Sequence, residues 1–345
     1  MGINDFPYRL RSAVWEITLA CPFSCKYCGS GGGKARPNEL STKECERIAS
    51  ELAELGCRRV SLIGGEVFTR PDWEAIIRFM TDRGIRVCVI TNGFNMSGDI
   101  PDRLIGAGIE SVAVSIDGPE RVHDAYRAPG SYRRAMDAID ALAAKDIPVS
   151  VISALRSDNY RSVGEFFDIL KDKPIFAWQL QACSPMGNAR KNLVGVDIDA
   201  AYIMDFVDAH ADLVPFALGV ADNIGYYTEA EGRLRGRRDG SSYFDGCGAG
   251  LTSIGIDSVG NVRGCESMYD EYFIEGNLRE RSLRDIWEDP DAFSYNRKFT
   301  HDVLKGKCAS CPHGDICAAG CRSYNYFTNG KELYENLLCP RAKQQ

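Results

Sequence analysis

The sequence predicts an α/β chain: a partial (β/α)6 barrel of the TIM type, followed by a small irregular cysteine-rich domain. Three observations carry this. Strand-like and helix-like segments alternate through residues 1–187, which implies parallel strands joined by right-handed helical crossovers. Residues 188–238 lose that alternation and read as a helical connection. From 239 to 345 glycines, aromatics and cysteines dominate; so small and irregular a segment rarely has enough core of its own without metal clips.

Ala13–Leu19 reads as the first strand. Ser41–Leu55 opens with Ser41-Thr42, has Glu44 three residues after Ser41, and continues with helical periodicity. Arg59–Ile63 is a short β-branched strand ending at Gly64-Gly65. Asp72–Asp82 is a helix, and Arg86–Thr91 is a strand ending in Asn92-Gly93. Asp102–Ala107 (helix), Ser111–Ile116 (strand) and Ser131–Lys145 (helix) follow. Pro148–Ala154, Val163–Leu170 and Phe176–Gln181 close the series as strand, helix and strand. In such barrels the functional rim lies at the C-terminal ends of the strands, where this chain places loops rich in Gly, Cys, Asn, Asp and Ser. Further on, Leu251–Ile256 reads as a strand, Leu283–Trp287 as a helix and the basic run Arg233–Arg238 as a solvated loop or a contact for an acidic partner.

The chain has 345 residues, 44% hydrophobic and 26% charged, an ordinary globular composition that excludes a disordered or coiled-coil chain. A net charge of −7 argues against nucleic-acid binding. Met1–Pro7 is polar, and no run of about 18 apolar residues could span a membrane. A cytoplasmic protein is expected, and in that reducing compartment fourteen cysteines read as metal ligands rather than disulfides.

Cys21, Cys25 and Cys28 form Cys-x3-Cys-x2-Cys directly after the first strand. One loop of this spacing wraps three irons of a cubane and leaves the fourth without a protein ligand. A zinc site would want four closed ligands. An open iron can bind an amino and a carboxylate group of a ligand and deliver an electron to a sulfonium that the ligand carries. Together with Gly64-Gly65-Glu66 after the second strand, the pattern resembles the radical S-adenosylmethionine (radical SAM) superfamily.

That resemblance implies roles for named residues. Tyr27 packs by the adenine. Gly64 and Gly65 let the backbone approach the ligand, and Glu66 accepts from the methionine ammonium. In Ser115-Ile116-Asp117-Gly118 and the following His123-Asp124 and Arg127, Ser115 and Arg127 bind ribose and methionine carboxylate; the guanidinium fork suits the latter. Asp117 either contacts the ligand or caps a turn. Asn92 faces the same rim.

Seven later cysteines resemble the SPASM domain, a cluster-binding module, as do the flanking Gly276-Asn277-Leu278 and Leu283–Trp287. The resemblance assigns Cys247, Cys265 and Cys321 to a first auxiliary cluster and Cys308, Cys311, Cys317 and Cys339 to a second. With three ligands, the first has an open iron or takes Asp245, water or a substrate group. A two-zinc ribbon is the alternative. Cys45, Cys57 and Cys88 read as small buried hydrophobes. Cys183 follows the sixth strand and either packs or donates a hydrogen atom to a substrate radical. Glu266, next to Cys265, is either a base beside the first auxiliary cluster or part of a solvated turn.

The expected cofactors are S-adenosylmethionine and three [4Fe–4S] clusters, one for the radical chemistry and two auxiliary, with a flavodoxin- or ferredoxin-type electron donor. One electron would break the carbon–sulfur bond, giving methionine and a 5′-deoxyadenosyl radical that takes a hydrogen atom from substrate, while the protein orients the reactants and excludes water. The expected substrate is a peptide or protein side chain, oxidised or cross-linked in natural product maturation. Residues 1–12 leave no room for an N-terminal peptide-binding domain, so a separate peptide-binding partner is expected. The alternative is a small molecule, a sugar or aminocyclitol, dehydrogenated or epimerised. A non-catalytic electron-transfer scaffold would leave Gly64–Glu66 without a role.

Overall fold

The computed structural model describes residues 6–224, 230–235 and 244–343. Among these, ten strands form one continuous sheet in the order β10-β9-β8-β1-β2-β3-β4-β5-β6-β7. The strands are β1 (Ser12–Glu16), β2 (Arg59–Ile63), β3 (Arg86–Thr91), β4 (Ser111–Ser115), β5 (Val149–Leu155), β6 (Ala177–Ala182), β7 (Ala217–Val220), β8 (Ser253–Ile256), β9 (Asn261–Arg263) and β10 (Gly276–Asn277). β1 to β7 run parallel in chain order. Helices α1 (Thr42–Glu54), α2 (Trp73–Thr81), α3 (Ile100–Gly106), α4 (Glu120–Tyr126), α5 (Ser131–Ala143) and α6 (Val163–Leu170) fall between successive strands.

The strand pattern is readable in the burial. Val60 and Leu62, Val87 and Val89, and Trp178 and Leu180 alternate with less buried neighbours and are fully enclosed. Ile48, Ala49 and Leu52 of α1 and Ile76, Ile77 and Met80 of α2 belong to the same core cluster. The expected capping box closes α1: Ser41 Oγ accepts from Glu44 N at 3.4 Å, and Glu44 Oε2 accepts from Ser41 N at 2.7 Å. Cys45 and Cys57 are buried as expected; Cys88 is only half-buried.

Two features differ from the sequence reading. The stretch 188–238 contains the helices α7 (Gly187–Lys191), α8 (Ala200–His210) and α9 (Glu231–Leu234), but also β7, which extends the parallel series beside β6. Four residues, Ala217-Leu218-Gly219-Val220, are too few to display a period of two. The cysteine-rich part also shares the barrel's sheet. β8 pairs parallel with β1, Ser12 opposite Ser253 and Ala13 opposite Ile254, and β9 and β10 continue antiparallel. This pairing gives the short hairpin a partner, without which two strands are marginal in water.

Side chains seal that seam. Glu16 on β1 is fully buried; it pairs with Arg36 and accepts from Ser258 N at 3.3 Å and Tyr269 OH at 3.2 Å. Arg263 pairs with Asp257 at 3.1 Å, and both Arg36 and Arg263 lie over the Tyr269 ring. Of the basic run, Arg233 faces Asp212 at 3.2 Å, Arg235 pairs with Glu231 at 2.7 Å, and 236–238 lie outside the described residues. Helices α10 (Leu283–Trp287), α11 (Ser294–Arg297), α12 (Gly314–Cys317) and α13 (Arg322–Thr328) complete the cysteine-rich part.

Candidate active site

The first cysteine loop leaves β1 and is held from three sides. Gly65 at the end of β2 sits against it so closely that a Cβ there would lie 1.9 Å from the Ala20 carbonyl oxygen. Glu66 N donates to that same oxygen at 2.7 Å. α7 clamps the loop from outside: Asn188 N donates to Cys28 O at 2.8 Å, Asn188 Nδ2 to Cys25 O at 3.1 Å and Asn192 Nδ2 to Lys26 O at 2.8 Å. α4 holds it from below, with Lys26 N donating to Tyr126 O at 2.8 Å. The sulfurs accept from the protein: Phe23 N reaches Cys21 Sγ at 3.4 Å, Gly32 N reaches Cys28 Sγ at 3.3 Å, and Asn92 Nδ2 reaches Cys21 Sγ at 3.6 Å.

Glu66 is buried, and its carboxylate accepts from Thr91 Oγ1 at 2.9 Å and Asn92 N at 2.8 Å. It therefore ties the end of β2 to the end of β3 and orients Asn92 toward Cys21. Burial, partly offset by these donors, pushes its carboxyl up to about 7. Ser115 stands half-exposed at the end of β4.

Asp117 is the hub of the rim. Its carboxylate accepts from Arg127 Nε at 2.7 Å and Nη2 at 3.3 Å, from Ala154 N at 3.1 Å, and from the Tyr27 hydroxyl. Burial alone would raise this carboxyl, but the Arg127 guanidinium and its hydrogen bonds hold it well below the usual carboxylate range. Arg127 thus braces Asp117 with two of its donors. Arg156, fully buried after β5, lies 4.7 Å from the Tyr27 ring centre and 4.0 Å from that of Tyr126. The Tyr27 ring is held by two guanidiniums and a carboxylate, with its exposed edge toward a central cavity.

That cavity, of about 390 Å³, is bounded on the barrel side by Tyr27, Gly29 and Cys183 and on the cysteine-rich side by Cys265, Ser267, Cys321 and Tyr324. Cys183 is buried apart from this face, and burial pushes its thiol up to about 12. Glu266 is not among the lining residues: both carboxylate oxygens are buried without a hydrogen-bond partner, facing Glu16, Arg263 and Asp257. Burial and then the Glu16 charge push that carboxyl well above its usual range. The neighbours Cys265 and Ser267 reach the cavity from either side of Glu266, in a turn closed by Met268 N donating to Cys265 O at 3.0 Å. Asp245 is exposed.

The thiols gather in three groups. Cys247, Cys265 and Cys321 lie near one another, and burial pushes Cys265 up to about 11. Cys308, Cys311, Cys317 and Cys339 ring a small recess, where burial and the three neighbouring thiols push Cys317 up to about 12. Burial likewise pushes Cys21 up to about 12 and Cys25 up to about 11. Thiols so crowded and buried are poor as free anions but are suited to ligation, which displaces their protons. Among the described residues no three such groups converge closely enough to hold a single metal ion. Asn336, on the wall of the four-thiol recess, has both amide atoms buried and unpaired, which fits a site built around a further group.

Sequence reasoning missed Arg156, Asn188 and Asn192. None belongs to a spacing motif; their partners come together only in the fold.

A sequence model of the radical SAM superfamily matches residues 15–170, and one described as an iron–sulfur cluster-binding domain, SPASM, matches 247–312. The second match ends before Cys317, Cys321 and Cys339. An AdoMet-dependent heme synthase from Methanosarcina barkeri is 29% identical over 342 residues, covering 95% of this chain and 96% of that protein. The mycofactocin maturase MftC from Mycobacterium ulcerans is 29% identical over 331 residues, covering 94% and 87%. The crystal structure of Streptococcus suis SuiB bound to S-adenosylmethionine superposes with a TM-score of 0.77 at 18% identity, covering 96% of this chain and 78% of that one. That likeness shows the fold.

Proposed function

The chain belongs to the radical SAM superfamily and carries a SPASM iron–sulfur domain, and from that premise we propose that it oxidises a side chain of a peptide or protein. Three [4Fe–4S] clusters fit the three thiol groups, the first on Cys21, Cys25 and Cys28 with S-adenosylmethionine at its open iron. When bound, that pair supplies one-electron cleavage of the sulfonium and hydrogen-atom abstraction from substrate. The chain's own part is positioning. α7 and Gly65 hold the loop, and the Asp117–Arg127–Arg156 brace fixes Tyr27 at the cavity wall. Cys183 lines the cavity with its thiol donating to Ser184 O at 3.7 Å, and burial keeps it protonated, which supports it as a hydrogen-atom donor to a substrate radical. A cytoplasmic setting and a flavodoxin- or ferredoxin-type donor accord with fourteen free cysteines. No helix among the described residues is long and apolar enough to cross a membrane.

The observation that carries the substrate class is the polarity of the cavity. Among the described residues lining it there is no Lys or Arg; the polar groups are amides and hydroxyls such as Gln179, Gln181, Asn223, Ser267 and Ser323, with Asp222 the one carboxylate. A tetrapyrrole bearing several carboxylates would need guanidinium or ammonium partners, whereas amides suit a peptide backbone. A mycofactocin maturase among the relatives agrees with this. A small neutral polyol is the second reading, favoured by a volume of about 390 Å³ that S-adenosylmethionine must share. The test is anaerobic turnover with reductant, reading 5′-deoxyadenosine above background with a genomically neighbouring precursor peptide, an aminocyclitol or a tetrapyrrole. Stimulation and loss of hydrogen from the peptide alone are expected; stimulation by the tetrapyrrole would refute the reading.

A further inference from the structure

Asn336 sits where the recess formed by Cys308, Cys311, Cys317 and Cys339 closes. It is 2% exposed, and neither Oδ1 nor Nδ2 of its carboxamide has a hydrogen-bond partner in the chain. Its backbone N–H already donates to the Cys308 thiol, which fixes the residue against the ligand set. A buried carboxamide without partners is costly, and native structures answer it with a partner outside the polypeptide. A donor beside four thiol ligands has one chemically apt acceptor, the electron-rich sulfur of the group they hold.

We infer that the Asn336 side chain donates through Nδ2–H to a sulfur of the second auxiliary cluster and sets its reduction potential. This rests on the reading that these four cysteines hold a [4Fe–4S] cluster. Reduction adds a negative charge to the cluster, and a donor pointed at its sulfur stabilises that charge. The hydrogen bond therefore raises the potential. Asn336 acts through the cluster and is a positioning residue.

The test is potentiometric titration followed by electron paramagnetic resonance on reconstituted protein, comparing wild type with N336L and N336D. Leucine conserves volume and removes the donor; aspartate conserves shape and adds a negative charge. With iron content unchanged, N336L should shift the reduction equilibrium of one auxiliary cluster about tenfold toward the oxidised form, which for one electron is about 59 mV more negative. N336D should move the same cluster further in that direction. Unmoved potentials at full loading in both variants overturn the inference and leave the cluster reading standing. Loss of about four irons in both variants overturns it in favour of a packing role. A wild type with about eight irons rather than about twelve removes the cluster and the inference with it.

Discussion

Replacing Asp117 by Asn tests the brace that holds the rim. The carboxylate is fully buried and serves Arg127 through two donors, the Tyr27 hydroxyl and Ala154 N, with Arg156 Nη1 at 4.0 Å. The amide keeps one acceptor and turns the other into a donor facing Arg127 Nε and Tyr27. The buried Arg127 then loses its counter-charge, while Arg156 keeps Asp158 at 3.1 Å. Breaking a buried pair by removing one partner costs about 3–5 kcal/mol, and at this chain length that lowers the melting midpoint by roughly 4–7 °C. Anaerobic thermal unfolding by circular dichroism reads the shift. Arg127→Met in the D117N background removes the stranded cation, so the double variant should recover about 2 kcal/mol relative to additivity. With Tyr27 unpinned beside Cys28, cleavage of S-adenosylmethionine should fall roughly 10-fold or more at unchanged iron content. A D117N loss below about 1 kcal/mol, with no coupling to Arg127, would refute this account of the rim.

Other predictions are briefer. Gly65→Ala places a methyl carbon 1.9 Å from the Ala20 carbonyl oxygen, so the cysteine loop must move; iron analysis should show about four irons lost from the first site, and full loading would contradict this. Cys183→Ala should leave iron content and S-adenosylmethionine cleavage intact while abolishing any solvent-derived deuterium in product formed in heavy water; retained deuterium would exclude the thiol as donor. His123 is fully buried, accepts from Asp117 N through Nδ1, and burial lowers it from 6.5 to about 4. The unfolded chain therefore binds the proton first, so stability is full above pH 6.5 and falls by about 3 kcal/mol as pH drops toward 4. His123→Gln should flatten that part of the stability profile relative to wild type, and an unchanged slope would reject the assignment.

Much of the barrel was legible because its signals are local. Arg59–Ile63, Arg86–Thr91 and Val163–Leu170 stand where the residue pattern sets them, and Ser41 with Glu44 marks the start of α1. The first cysteine group was legible for the same reason, since Cys21, Cys25 and Cys28 share one loop, whereas the grouping of Cys247, Cys265 and Cys321, spread over more than seventy residues, came only from the resemblance to the SPASM domain. Long-range closure was not. β8 meets β1 across more than two hundred residues, a partnership that neither strand encodes alone. Asp117 reads as a rim residue, yet its role as hub depends on Tyr27, ninety positions earlier, and on Arg156, which carries no motif. Glu266 shows the opposite failure: adjacency to Cys265 suggested a shared site, while the turn over 265–268 sets its carboxyl beside Glu16.

The central claim is that three separate thiol groups hold three four-iron clusters, only the first of which cleaves S-adenosylmethionine. The most direct test is iron and sulfide content after anaerobic reconstitution, in wild type and in a Cys21/Cys25/Cys28→Ala variant. The account predicts about twelve irons falling to about eight, with cleavage abolished. A wild type with about four irons, or with zinc in place of iron, would contradict it.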